Sequence, residues 1–215
     1  WSSDVCSSDL YGWPANNLFY QPLLETTLAD GLARYPQVSV RRGREFTRFI
    51  QDADGVSVMH IESRGAQYSK QAPVLGETPA PQAGEEVLRA RYFVACDGGR
   101  SAVRAQLGIN MTGKSFPNPW IVVDIKQKDG EDCLRHLPYF SFICDPECPT
   151  VSCRQPYGHH RFEFMLMPGQ TKEHMEKPET IRAYLSKYVD VSKVEILRSL
   201  VYTFNALVAE KWRDG

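Results

Sequence analysis

The residues best equipped for chemistry lie in one stretch, Arg91 to Leu107, which reads RYFVACDGGRSAVRAQL. An apolar run from Tyr92 to Cys96 ends in Asp97-Gly98-Gly99, and a helix should open near Ser101. The pattern predicts a buried strand of an α/β sheet, a glycine turn and a helix. Ligands of such sheets collect at the carboxyl ends of the strands, where the Asp97 carboxylate could accept hydrogen bonds from sugar hydroxyls. Gly98 and Gly99 let the backbone approach a phosphate, and the free N–H groups of the next helical turn favour an anion. An ordinary strand–turn–helix junction has the same outline, and short motifs misfire often.

Further candidates lie in the second half. Cys133, Cys144, Cys148 and Cys153, with His136, His159 and His160 nearby, invite a zinc site. Their spacings lack the paired C-x2-C geometry of structural zinc, so core or turn cysteines are the expectation and no metal is assigned. His159 and His160 could act as acid–base groups. They follow Pro156-Tyr157-Gly158, however, which predicts a solvated hairpin tip. Arg161-Phe162-Glu163-Phe164 alternates as a strand with one aromatic face. On the other face Arg161 either pairs within the protein, the favoured reading, or meets a substrate carboxylate. Trp120 and Phe162 could wall an aromatic pocket, although such residues are more often core.

The elements that must position these groups follow from periodicity. Asn17–Tyr35 reads as an amphipathic helix: Pro22 suits its first turn, Leu24, Leu28 and Leu32 form one stripe, and Pro36 lies beyond its end. Gln21 stands at its entrance as a solvated capping residue. A strand is expected from Val38 to Val40, then two more over Phe46–Ile50 and Val56–Ile61, joined by the turn Asp52-Ala53-Asp54-Gly55. Residues 63–84, rich in Gly, Pro, Ala and Gln, read as an inserted surface loop. An extended run at Glu86–Ala90 leads into the Asp97 strand, and the helix from Ala102 stops at Gly108. A boundary is placed at 112/113, amid Gly113, Pro117 and Pro119. Beyond it come strands at Trp120–Ile125, Phe140–Cys144, Thr150–Arg154, Arg161–Met167 and Val194–Tyr202, and a helix at Thr180–Tyr188. That order suggests an α+β module dominated by an antiparallel sheet.

With these residues in view, RYFVACDGGRSAVRAQLGI resembles the second nucleotide motif, the "DG" motif, of the FAD-dependent aromatic hydroxylases, the class A flavoprotein monooxygenases. The resemblance carries Asp97, Gly98, Ser101 and Arg104 onto cofactor-binding positions, and the Gln-Pro-x-Leu-Glu helix carries Gln21 there too. FPNPWIVVDI, CDPECPTVSC, HHRFEFMLMPGQT and VYTFNALVAEKW are similar to the branch that acts on 3-(3-hydroxyphenyl)propionate. The resemblance implies α/β plus α+β architecture: a partial FAD-binding domain, Rossmann-like and three-layered with a β-meander, over 11–112, then an antiparallel-sheet substrate domain over 113–215. It implies ortho-hydroxylation of a phenolic acid through a flavin C4a-hydroperoxide, with FAD as cofactor and NAD(P)H and O2 as co-substrates. A homodimer of the full-length parent is compatible with it. No GxGxxG occurs in the chain, and the family's Gly-Asp motif would follow Gly215. The expectation is therefore an internal segment of a longer hydroxylase that alone binds FAD weakly or not at all. A flavin monooxygenase acting on another phenol or an antibiotic, an FAD-dependent reductase, and a non-catalytic ligand-binding module stay open as alternatives.

Composition narrows the remaining classes. Across 215 residues, 42% are hydrophobic and 24% charged, ordinary for a globular protein. A formal net charge of −1 provides no electrostatic footprint for nucleic acid. No apolar run approaches the ~20 residues that span a bilayer, so no membrane partner is expected. The six cysteines show no secreted framework, which points to a reducing cytoplasm. The first ten residues, WSSDVCSSDL, match a translated sequencing adapter and read as a non-native tail.

Overall fold

The computed structural model describes residues 17–63 and 74–215. The adapter-like tail and the middle of the 63–84 loop lie outside the described residues. The chain forms two compact units: one joins the segment ending at Tyr35 to Ser115–Ala206, and the other joins Pro36–Lys114 to Leu207–Gly215. The linear boundary at 112/113 thus lies close to one junction, while the Gln21 helix belongs with the sheet of the second half.

In the first unit, α1 (Gln21–Gly31) has Pro22 in its first turn, where the missing N–H costs nothing. Its leucine stripe is not buried, and Leu28 is exposed. The centre of the unit is a five-stranded antiparallel sheet: β5 (Trp120–Gln127), β6 (Phe140–Ile143), β7 (Thr150–Arg154), β8 (His159–Met165) and β9 (Val194–Tyr202). Its order is β6-β7-β8-β5-β9. Alternation gives the sheet two different faces. One presents Ile121, Val123, Ile125, Phe162 and Phe164 to Met175 of α3 (Lys172–Met175) and to Ile181 and Leu185 of α4 (Pro178–Leu185). Phe162 stacks on Phe164 and Tyr188, and complete burial of such rings is the main source of the unit's stability.

His160 belongs to this core rather than to a hairpin tip. It is fully buried, its Nε2 lies 2.8 Å from Ser152 Oγ, and its Nδ1 has no hydrogen-bond partner. The turn at Tyr157-Gly158 is tighter than expected, so β8 begins at His159 and the strand's alternation turns His160 inward.

In the second unit, β1 (Arg44–Asp52), β2 (Gly55–Glu62) and β3 (Glu86–Ala90) form an antiparallel meander, as the turn at 52–55 predicts. Gly55 has φ +142°, and a Cβ there would collide with the Ala90 carbonyl, so the turn requires glycine. α2 (Ala102–Gln106) packs beside β1: Gln106 Nε2 donates to the Thr47 carbonyl at 3.0 Å. Two short strands, β4 (Met111–Ser115) and β10 (Asn205–Ala209), pair with each other.

Two expected strands are absent. Residues 38–40 are exposed and unladdered. Residues 92–96 run without a ladder, with Tyr92 and Val94 exposed at 84% and 80%. A strand inside a parallel sheet takes its hydrogen bonds from strands on both sides, and no described strand flanks this segment. Among the described residues, Phe93 is the member of this segment with ring contacts, against Phe46 and Phe49.

Candidate functional site

The second face of the five-stranded sheet carries the site. Register places Phe140, Cys153, Arg161, Asp124 and Arg198 in one continuous row across all five strands. Two residues along, a parallel row runs Phe142, Val151, Glu163, Val122 and Leu200. Above these rows lies the segment from Asn17 to Pro22, and the space between is a cleft of about 730 Å³. Phe140, Phe142 and Val151 line its apolar end; Asp124, Arg161, Glu163 and Arg198 line its polar end. Concave sites that mix apolar walls with a few placed polar groups are the usual form of a small-molecule pocket.

Local contacts hold the roof. Tyr20 stacks on the His159 ring, with centroids 4.0 Å apart and planes 18° off parallel, and the Leu18 amide donates to Tyr139 Oη at 3.1 Å. Gln21 lines the cleft at the start of α1, where its Nε2 donates to Glu25 Oε1 at 2.7 Å.

Electrostatics divide the polar end. Arg161 Nε and one terminal nitrogen donate to the two Asp124 carboxylate oxygens at 2.6 and 3.0 Å, a bidentate pair. Asp124 is only 8% exposed, and this bond holds the Arg161 guanidinium protonated beyond its ordinary range. Glu163 sits between Val151 and Val122, and burial pushes its pKa up, partly offset by Arg161. It therefore keeps its proton to higher pH than a free glutamate does.

Of the residues expected to touch substrate, Arg161 lines the cleft. Phe162 does not, because strand alternation turns it into the core on the opposite face. Trp120 stands at the start of β5 against Phe204, 6.5 Å centroid to centroid, and is not a lining residue. Sequence reasoning missed Asp124, Glu163, Phe140, Phe142 and Arg198. Alternation along Arg161-Phe162-Glu163 signals a shared face, but nothing local signals a partner strand 37 residues away.

The second unit brings Asp97, Gly98, Ser101 and Arg104 together in one loop–helix junction. Ser101 is the N-cap of α2, its Oγ accepting from the Arg104 amide at 2.9 Å. Asp97 Oδ2 accepts from the Val103 amide at 3.2 Å, and Arg104 donates to the Gly99 carbonyl at 3.0 Å. Gly98 has φ +79° with nothing within 4 Å of an added Cβ, so the loop backbone is open. Asp97 therefore caps a helix rather than ending a strand, because 92–96 has no ladder to end. One carboxylate oxygen makes no hydrogen bond to the described residues, and Arg104 Nε is buried without a partner. This donor and acceptor set fits a hydroxyl- and phosphate-bearing group such as a dinucleotide.

Among the described residues, no group of three or more His, Cys, Asp or Glu could hold a metal ion, and Cys148 lies in the core. No described helix is long and apolar enough to cross a membrane.

Residues 5–215 match the family model described as "FAD binding domain". The chain is 38% identical over 207 residues to a 3-(3-hydroxy-phenyl)propionate/3-hydroxycinnamic acid hydroxylase of Escherichia coli O81 (strain ED1a), covering 96% of this chain and 33% of that protein. A protein of the same name from Klebsiella pneumoniae (strain 342) matches equally, also at 38% over 207 residues. The chain thus spans about a third of the length of these curated relatives. Among solved structures, p-nitrophenol 4-monooxygenase PnpA of Pseudomonas putida DLL-E4 superposes with TM-score 0.70 at 17% identity, over 92% of this chain and 45% of that one. A ternary complex of aklavinone-11 hydroxylase with FAD and aklavinone gives TM-score 0.70 at 23% identity, over 92% of this chain and 35% of that one. Both share the mixed α/β fold with its antiparallel sheets.

Proposed function

The chain belongs to the FAD-binding-domain family, and from that premise we propose that it is part of an FAD- and NAD(P)H-dependent monooxygenase that hydroxylates a phenolic acid ortho to its hydroxyl. The proposed substrate is 3-(3-hydroxyphenyl)propionate or a near relative, after the named relatives that match almost the whole chain. The observation that carries this reading is the cleft on the five-stranded sheet, about 730 Å³ in volume, with an aromatic end and an ionic end beside it.

Asp97, Gly98, Ser101, Arg104 and Gln21 are the residues proposed to hold FAD. Their chemistry fits: an available carboxylate oxygen for a sugar hydroxyl, an open glycine backbone beside a capped helix, and a side-chain amide at a helix entrance. When bound, FAD supplies the redox chemistry that joins NAD(P)H oxidation and O2 reduction to ring hydroxylation.

The chain's own residues bind, orient and exclude water. Phe140, Phe142 and Val151 give the substrate ring an apolar seat. Asp124 fixes Arg161 in one orientation, so the cleft is polarised before substrate arrives. Glu163, with its raised pKa, holds or accepts a proton at its carboxylate oxygen close to the Arg161 cation. It is the cleft group best suited to meet the substrate hydroxyl.

The test uses the whole protein that contains this chain. With 3-(3-hydroxyphenyl)propionate it should consume NAD(P)H and O2 together and release an ortho-dihydroxylated product. Failure to consume either with any hydroxyphenyl acid would contradict the proposal.

A further inference from the structure

We propose that Arg198, and not Arg161, anchors the acidic end of an aryl alkanoate in the cleft; this rests on the aromatic-substrate reading above. Asp124 stands in register between two arginines, Arg161 on β8 and Arg198 on β9. It gives both carboxylate oxygens to Arg161. Arg161 keeps further N–H donors, but its charge is already balanced by the almost fully buried Asp124, so a second carboxylate there would give the pair a net negative charge.

Arg198 has no such commitment. It makes no ion pair among the described residues; its guanidinium lies over the Tyr202 ring, 5.5 Å from the centroid. That contact orients the side chain without neutralising it.

The backbone explains why Arg198 is on this face. Asp124 pairs with Arg198 but Ile125 pairs with Ile196, so Leu197 is an extra residue on β9. A β-bulge of this kind re-aims side chains, and here Leu197 and Arg198 both line the cleft. Strand order then separates the functions. Val151 and Cys153 on β7 lie three strand spacings from β9, roughly 14 Å at about 4.8 Å per strand, a span that the long arginine shortens. A ring on the β6–β7 side with a short acidic chain directed toward β9 fits that interval.

The test measures binding of 3-(3-hydroxyphenyl)propionate and its carboxamide by calorimetry to the whole protein that contains this chain, with each substitution made within this chain. The unaltered protein should bind the acid about tenfold more tightly than the amide, as one charge-assisted contact provides. Arg198→Gln should abolish that preference while leaving amide affinity within about twofold, and Arg198→Lys should retain part of it; circular dichroism checks that both variants fold. An undiminished preference in Arg198→Gln, or equal binding of acid and amide by the unaltered protein, overturns the assignment to Arg198 alone. Binding of neither ligand sinks the aromatic-substrate reading and this inference with it.

Discussion

Acidification should weaken the sheet unit through one residue, His160. The ring is fully buried between Ser152 and Phe162, and burial lowers its pKa from 6.5 to about 4. Because the folded protein holds the ring neutral, the unfolded chain binds the additional proton as pH falls below 6.5. Stability is therefore complete above about 6.5 and is lost as pH falls toward 4. The linkage relation converts that interval into about 3 kcal/mol in all, of which about 2 kcal/mol is gone by pH 5. Urea unfolding followed by circular dichroism at pH 7.5, 6 and 5 measures the loss. His160→Leu separates this residue from the carboxylates: it should reduce stability at pH 7.5, because Ser152 loses its partner, and flatten the slope between pH 7.5 and 5. An NMR titration giving His160 a pKa near 6.5, or a His160→Leu slope equal to that of the unaltered chain, would refute the reasoning.

Three other substitutions probe separate parts of the fold. Phe162→Ala should cost about 3–5 kcal/mol in urea unfolding, since the ring is fully buried in the core; a loss below about 1 kcal/mol would place the ring elsewhere. Asp124→Asn should cost about 1–2 kcal/mol, less than for a fully buried pair because the Arg161 side chain is 34% exposed; unchanged stability would mean that the pair is incidental. Ser101→Ala removes the α2 cap and should cost about 1 kcal/mol, seen as about fivefold faster exchange of the Arg104 amide.

Much of this fold is legible from local pattern. The β1–β2 hairpin follows from alternation on both sides of Asp52-Ala53-Asp54-Gly55, and Val194–Tyr202 forms a strand over the expected residues. The helix at 178–185 begins at Pro178 and not at Thr180, because proline is suited to a first turn. What fails is whatever depends on a neighbour. Tyr92–Cys96 has the composition of a buried strand, yet a strand exists only through its ladder. His160 appears as a turn residue until the true hairpin fixes its parity within β8. The cleft is legible in part: Arg161 and Glu163 share a face by alternation, but Asp124 joins them through register, and Arg198 through a bulge that no periodicity shows. Resemblance alone assigns Gln21 to the cofactor; in the structure it lines the cleft beneath the 17–22 segment.

The central claim is that the open face of the five-stranded sheet receives the aromatic ligand. Backbone amide shifts of the isotope-labelled chain, titrated with 3-(3-hydroxyphenyl)propionate, test it directly. Saturable changes should cluster at Val122, Asp124, Val151, Cys153, Arg161 and Glu163. Changes centred instead on Ile181, Leu185 and Val189, behind the sheet, would contradict it.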